Sequence, residues 1–200
     1  MISFLPLARF QNYDMIKTTE SYGSMYPEKC CCQSDNRNSS DRKGDFMAKM
    51  TVYHGGYMPI EHPQIRIGRN TKDFGPGFYC TIIKEQAERW AKRYDRKIVS
   101  VYEVRLNSGL KIKEFKEMTD EWLDFIIACR SGKLHTYDIV IGAMANDQIY
   151  NYIADYIDGA ITREQFWVLA KFKYPTHQIN FCTEEALKCL EYRGYEEVKQ

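Results

Sequence analysis

The chain has 200 residues, of which 44% are hydrophobic and 28% are charged, as is typical of one globular domain. Its formal net charge is +1 at pH 7, which excludes the broad positive field on which nonspecific nucleic-acid binding depends. No run of sequence approaches the roughly 18 apolar residues of a membrane span, so we expect no membrane partner.

The seven cysteines give no indication of a metal site or a disulfide framework. They form no CxxC pair, and Cys30, Cys31 and Cys32 are adjacent in a polar segment, which fits neither kind of site. We therefore predict no metal, reduced thiols and a cytoplasmic location.

Residues 1–46 are weakly patterned, and 33–43 (QSDNRNSSDRK) are polar throughout. Such composition cannot bury a core, so we expect 1–46 to be a disordered or dispensable N-terminal extension. The patterned domain is predicted to span 47–200.

From Thr51 onwards, short β-rich runs alternate with helical patterns. In chain order, the patterns predict strands at 51–54 and 78–81, a helix over about 83–94 and β-rich segments at 98–106 and 110–113. A helix between Thr119 and Gly132, a strand at 138–142, helices over about 147–158 and 163–173, a strand at 178–181 and a last helix from 184 follow. The last helix is expected to begin after the capping residue Thr183 and to carry Leu190. These elements do not form regular βαβ units, so the predicted class is α+β.

Three short motifs carry the chemistry. The first, 52–56 (VYHGG), is a strand that ends in His54-Gly55, which offers an imidazole and a backbone open to close approach. The second, 73–81 (DFGPGFYCT), is a glycine-rich turn that leads Tyr79 onto a strand, where an aromatic ring can stack on a flat cation.

The third motif, 177–181 (HQINF), opens a late strand with a polar residue. Ile179 and Phe181 would share the core face, so Gln178 and Asn180 are expected to point the other way. Each motif alone has an ordinary structural explanation: a strand-end histidine, a tight turn, or a solvated glutamine.

Together the three motifs resemble the His-Tyr-Glu signature of the ADP-ribosyltransferase superfamily, in its diphtheria-toxin and poly-ADP-ribose-polymerase branch. The chain is most similar to an uncharacterised bacterial family with the same DFGxGFYxT run, over roughly residues 50–192. The resemblance implies an ADP-ribosyltransferase-like fold with a split mixed β-sheet core and surrounding helices, and NAD as the co-substrate.

Carried over residue by residue, the resemblance implies that His54 bonds the adenosine ribose and that the Gly55 backbone holds the nicotinamide carboxamide. It implies that Tyr79 stacks on the nicotinamide ring. It also implies a second aromatic contact at Trp90 on the following helix, although Trp90 could equally be part of the core face of that helix.

Other candidates are less specific. Arg66 and Arg69, between the first two motifs, could meet the pyrophosphate through charge-assisted hydrogen bonds or could simply be solvated. Asp73 is interpreted as a residue that stabilises the turn, and the pair 146–147 (ND) as a helix cap.

Gln178 occupies the position of the family's catalytic glutamate and is the main departure from the pattern. A glutamate there bonds the ribose 2′-hydroxyl and stabilises the positive charge that develops when the ribose–nicotinamide bond breaks. Glutamine keeps the hydrogen bond and loses the charge, so restoring the glutamate is expected to preserve or raise NAD cleavage.

The sequence thus predicts an NAD-dependent mono-ADP-ribosyltransferase, by resemblance of the bacterial toxin or effector kind. Gln178 and Tyr79 are its expected catalytic residues, and a protein or nucleic acid is its expected acceptor. An antitoxin or regulatory partner would suit a toxin. The alternatives are an NAD glycohydrolase, or a degenerate module that binds NAD or a protein without turnover. RNA 2′-phosphotransfer is disfavoured because Tyr79 stands where a histidine is expected.

Overall fold

A computed structural model of the chain describes residues 49–67, 72–145, 147–170 and 176–199, with the side chain of Asp147 excepted. The N-terminal extension predicted over 1–46, the candidate Arg69 and the Asn146 side of the predicted helix cap lie outside the described residues.

The described residues form an α+β fold, as the sequence predicts. The strands are β1 (Met50–Gly56), β2 (Phe78–Cys80), β3 (Ile98–Val104), β4 (Ile112–Glu114), β5 (Ile139–Gly142), β6 (Gln178–Phe181) and β7 (Leu190–Glu197). The helices are α1 (Lys84–Ala91), α2 (Asp120–Arg130), α3 (Asp147–Ile157), α4 (Arg163–Ala170) and α5 (Glu184–Leu187).

The strands are divided between two sheets. One has the order β1-β3-β7 and is antiparallel, and the other has the order β2-β6-β5-β4 and is mixed, because β4 runs parallel to β5. An isolated bridge joins the sheets, in which Tyr53 of β1 exchanges backbone hydrogen bonds of 2.8 and 2.9 Å with Thr81. Beyond this bridge β1 stays with its own sheet, so the two sheets separate next to His54 and Gly55.

Each sheet packs against helices. The larger hydrophobic cluster joins the four-stranded sheet to α2, α3 and α4, and its largest fully buried members include Phe74, Trp122, Ile149 and Phe166. A smaller cluster places Ala87 and Ala91 of α1 against Val99 of β3. The small residues of α1 let the helix lie close to the first sheet, which brings it against the end of β1.

Most predicted elements are confirmed within one to three residues of their bounds, and the predicted end of the helix over 163–173 lies outside the described residues. Thr119 and Thr183 accept hydrogen bonds from Trp122 N and Ala186 N, so Thr119 caps α2 and the predicted N-cap at Thr183 is present. Cys80, Cys129 and Cys189 are buried, as is typical of free cysteines, which behave as small apolar residues, and Cys182 is half-buried. No helix among the residues described is long and apolar enough to cross a membrane.

One predicted strand is longer than expected, and one residue belongs to a different element. The strand β1 does not end before its glycines but continues through Gly56, because 54–56 remain paired with 98–100 of β3. Leu190 does not belong to the last helix; it begins β7, since α5 ends at Leu187. The strand was missed because β7 is rich in charged residues. It lies at a sheet edge, and only alternate residues of 190–194 are partly covered, so few apolar side chains mark it in the sequence.

Candidate functional site

His54 lies at the separation of the two sheets with one ring nitrogen engaged. Its Nδ1 is 2.7 Å from the carbonyl oxygen of Tyr79, and because a carbonyl can only accept, Nδ1 carries the proton and donates. The imidazole stacks on Phe78, with ring centroids 4.6 Å apart. Burial lowers the pKa of His54, the hydrogen bond to the Tyr79 carbonyl raises it, and the positive charges of Arg66 and Lys72 lower it further; the net lowering favours the neutral ring. Nε2 is therefore a hydrogen-bond acceptor.

Residue 55 must be a glycine because α1 packs closely against it. A Cβ atom at this position would lie 2.0 Å from the carbonyl oxygen of Ala87 and 3.0 Å from Ala91 N, both backbone atoms of the helix. Along an extended strand, alternate residues direct their N–H and C=O to the same edge. Tyr53 directs its own to Thr81, so Gly55 directs its backbone groups to that same edge, where the sheets have separated.

Tyr79 is held through its hydroxyl group. The hydroxyl donates to the Gly75 carbonyl at 2.7 Å and accepts from Phe74 N at 3.0 Å, so it closes the glycine-rich turn. Burial raises the pKa of the Tyr79 hydroxyl, which keeps it protonated. The half-buried ring has Lys72 Nζ 5.8 Å from its centroid. We call His54, Gly55 and Tyr79, with the bridge beside them, the β1–β2 junction.

Trp90 is half-buried and is not part of the buried face of α1, which consists of Gln86, Ala87 and Ala91. The Arg93 guanidinium lies 3.9 Å from the centroid of the Trp90 ring, so a cation already covers one of its faces. The alternative that Trp90 is a core residue is therefore wrong, and its contact with nicotinamide stays a prediction.

Gln178 is buried, with only 6% of its surface exposed. Its Nε2 donates to Asp73 Oδ2 at 2.9 Å and lies 3.3 Å from the Ala143 carbonyl oxygen. The alternative that Gln178 is merely a solvated strand-end residue is wrong, because Asp73 and Ala143 cover its side chain on its own face of β6.

Asp73 is the centre of a buried network that sequence reasoning missed. Its Oδ1 pairs with Arg130 Nη2 at 2.5 Å, and its Oδ2 also accepts from Ala145 N at 2.9 Å. The side chains of Asp73 and Arg130 are 8% and 7% exposed. The Arg130 guanidinium lies 4.2 Å from the ring centroid of Tyr150. We call Asp73, Arg130 and Gln178 the Asp73 network; its only sequence signal was an acid at the start of the second motif.

Asn180 of β6 holds the glycine-rich turn that precedes β2. Its Nδ2 donates to Phe74 O at 2.9 Å and to Pro76 O at 3.2 Å. Gly77, whose φ is +154°, packs against it, since a Cβ there would lie 2.0 Å from Asn180 Oδ1. Asn180 is fully buried, and so are Ile179 and Phe181, so both faces of β6 are covered and the expected single core face is wrong. The role of Asn180 explains why a polar residue stands inside β6.

The residue before β6, His177, connects that strand to α1. Gln86 Nε2 donates to the His177 carbonyl at 2.6 Å, and His177 N donates to Gln86 Oε1 at 3.1 Å. The His177 ring is largely enclosed, and its Nε2 is buried without a hydrogen-bond partner. Burial lowers the pKa of His177 to about 4.

An open groove of about 430 Å³ lies beside the segment that follows β1. Arg66, which is exposed and lines this groove, forms an isolated β-bridge with Gly77 just before β2 and is near enough to His54 to lower the pKa of that ring. In the described part of the chain, no group of three His, Cys, Asp or Glu side chains is arranged to hold a metal ion. The groove is lined by Met58, Pro59, Ile60, Glu61, His62, Gln64 and Arg66.

The three motif residues therefore lie on neighbouring strands. His54 is on β1, Tyr79 is on β2 and Gln178 is on β6, and these strands are joined side by side through the Tyr53–Thr81 bridge and the β2–β6 pairing. The second motif links the other two motifs, because Asp73 contacts Gln178 of the third motif and Tyr79, six residues later, contacts His54 of the first.

Comparison with known families decides the relationship of the chain. The family described as "Protein of unknown function (DUF3990)" matches residues 50–192. The chain belongs to this family. Neither a search of curated proteins nor a search of solved structures gives a significant match. The match covers β1 to β6 and reaches into β7, so the matched part of this chain contains all three motifs.

Proposed function

We propose that this member of the family is a cytoplasmic, NAD-dependent mono-ADP-ribosyltransferase of the toxin or effector kind, with an ADP-ribosyltransferase-like fold. The observation that carries the proposal is the arrangement of His54, Tyr79 and Gln178 on three adjacent strands at the point where two sheets separate. Where the sheets separate, the N–H and C=O groups along that edge of β1 are not paired with a neighbouring strand among the described residues. A flat polar ligand can form hydrogen bonds with these groups.

The groups at the β1–β2 junction suit the parts of NAD. A neutral His54 with a protonated Nδ1 presents Nε2 as an acceptor for a ribose hydroxyl. The N–H and C=O of Gly55 suit a carboxamide, which needs one donor and one acceptor. The Tyr79 ring suits the cationic nicotinamide, since an aromatic face attracts a cation. Arg66 and Lys72 add positive charge beside His54, where a pyrophosphate would be stabilised.

The reaction we propose is a substitution at the anomeric carbon of the nicotinamide ribose. The bond from that carbon to the nicotinamide nitrogen breaks, and its electron pair stays with nicotinamide, which leaves as a neutral molecule. A nucleophilic atom of the acceptor forms the new bond to the carbon and loses its proton to solvent. Gln178 accepts a hydrogen bond from the ribose 2′-hydroxyl through Oε1, and no residue has to supply an electron pair.

The proposal is tested by incubating the full chain with NAD labelled in its adenosine part and a bacterial lysate. Transferase activity puts label on protein or nucleic acid, and glycohydrolysis gives free ADP-ribose only. NAD bound without either product indicates a binding module. Gln178→Ala should reduce labelling about 10²-fold or more at matched folded concentration, whereas Gln165→Ala, at an exposed glutamine of α4, should not reduce it. No nicotinamide release by the wild type would exclude the transferase and the glycohydrolase alike.

A further inference from the structure

The orientation of the Gln178 side-chain amide is fixed by its neighbours. Asp73 Oδ2 and the Ala143 carbonyl oxygen, at 2.9 and 3.3 Å, can only accept hydrogen bonds. The amide atom that faces them must therefore be Nε2. It follows that Oε1 is directed away from both, and that a hydroxyl group approaching Gln178 meets an acceptor and not a donor.

The Asp73 carboxylate is in turn fixed by Arg130. The guanidinium pairs with Oδ1 at 2.5 Å, and Oδ2 is left to Gln178 and Ala145 N. Because both members of the ion pair are less than a tenth exposed, solvent screens the carboxylate only weakly. A charged acceptor at Nε2 polarises the amide and makes Oε1 a stronger acceptor, since linked hydrogen bonds strengthen one another.

The same contact explains why residue 178 is a glutamine. A glutamate in its place would put a second carboxylate oxygen against Asp73 Oδ2, at the 2.9 Å that now separates Oδ2 from Nε2. Two carboxylates at that distance cannot both be ionised, so one would have to bind a proton. We therefore expect a glutamate at this position to lower activity, contrary to what the family pattern implies.

We propose that Asp73, held by Arg130, is a positioning residue that orients and polarises Gln178, so that an amide–carboxylate pair does here the work of a single glutamate. The inference rests on the proposed function, because it assigns Gln178 Oε1 to a ribose hydroxyl. The pair contributes a negative charge that is one residue further from the reacting carbon and is already partnered by an arginine.

The test is a double-mutant cycle of Asp73→Asn and Gln178→Glu, with melting temperature and nicotinamide release as readouts. Asp73→Asn places an NH₂ group against Arg130 or against Gln178 Nε2, so a donor meets a donor in either orientation. Gln178→Glu places an acceptor against an acceptor. Each single variant should lower the Tm by about 5 °C or more and lower kcat by about 10- to 100-fold.

The double variant distinguishes a specific pair from general damage. In it, the amide introduced at position 73 can donate to the carboxylate introduced at position 178, so its Tm and kcat should both exceed those of Gln178→Glu alone. Asp138→Asn is the matched control, because Asp138 also accepts two hydrogen bonds but lies outside the network. The control should lower the Tm without lowering kcat.

Three results would overturn the proposal, and each is separable from failure of the proposed function. Additive losses of Tm in the double variant would show that residues 73 and 178 are not coupled. Coupled Tm values with an unchanged kcat in Asp73→Asn would make the pair purely structural. A wild-type level of release by Gln178→Glu would show that the pair is not required. If the wild type releases no nicotinamide, the transferase proposal fails, and the Tm cycle still decides whether the two residues are coupled.

Discussion

The two parts of the candidate site are built by different physical means. The β1–β2 junction is organised by the backbone: a histidine bonded to a carbonyl, a glycine against a helix and a tyrosine hydroxyl closing a turn. The Asp73 network is organised by side chains from β6, from the end of α2 and from the turn before β2. One part depends on small residues and on contacts between neighbouring backbone segments, and the other on side chains from distant parts of the chain.

This difference teaches where each part is vulnerable. A region held together by backbone contacts is disrupted when an added atom pushes its strands and helix apart, because the separated backbone groups have no other partners there. A charge-built region fails when one partner is removed, because the remaining charge stays buried without compensation. The two regions share the second motif, which Tyr79 anchors at one end and Asp73 at the other. Damage to either should therefore reach the same turn.

The largest effect is expected from breaking the charge-built region with Arg130→Met. The substitution leaves the Asp73 carboxylate buried and without its ion-pair partner, which should cost about 3–5 kcal/mol of unfolding free energy. Denaturant unfolding measures the loss. Arg193→Met is the matched control: Arg193 also makes carboxylate pairs, but its side chain is 41% exposed. Its loss should stay below about 1 kcal/mol, and equal losses would refute the claim that burial makes the difference.

The backbone-built region is broken by Gly55→Ala. The new methyl group would lie 2.0 Å from the Ala87 carbonyl oxygen, so α1 would have to move away from β1. We expect a loss of about 3 kcal/mol, at the upper end for one methyl group added to a packed interior, and loss of NAD binding by calorimetry. At the neighbouring Gly56, the nearest atom to an added Cβ is 3.6 Å away. Gly56→Ala should therefore be much less destabilising, and the reverse order would contradict the packing described.

The same contrast decides what the sequence could reveal. The strand that carries His54 and the turn before Tyr79 follow from local glycines and β-rich runs, so the junction was predictable as a set of motifs. Asp73 and Arg130 are 57 residues apart and Asp73 and Gln178 are 105 apart, and no local periodicity links them. Because they alternate with Ile179 and Phe181, Gln178 and Asn180 were expected to lie on the non-core face of β6. Their burial became visible only with the neighbours that satisfy them.

His177, which connects β6 to α1, gives a smaller effect that appears only on acidification. Its pKa is about 4 in the folded chain, below its ordinary value of about 6.5. The unfolded state therefore binds more protons between these values, and stability present above pH 6.5 is lost as the pH falls. From about pH 7 to about pH 5 the unfolding free energy should decrease by about 2 kcal/mol. His177→Gln should reduce this pH dependence, leaving the part due to His54, whose pKa is also lowered. An unchanged dependence would show that His177 is not the titrating group.

The smallest effect separates the two roles assigned to Tyr79. Tyr79→Phe removes a hydroxyl that donates to Gly75 O and accepts from Phe74 N, so the turn loses two hydrogen bonds. We expect a loss of about 1–2 kcal/mol of unfolding free energy, with NAD affinity retained, because the ring that stacks on nicotinamide remains. Tyr79→Leu removes the hydroxyl and the aromatic face together and should weaken NAD binding about tenfold or more, since a cation–π contact contributes about 1–2 kcal/mol when it is desolvated. Calorimetric titration of both variants makes the comparison, with Tyr195→Phe, at an exposed tyrosine of β7, as the control. Equal affinities for the Phe and Leu variants would mean that the tyrosine serves only the turn and that the junction does not recognise nicotinamide through its ring.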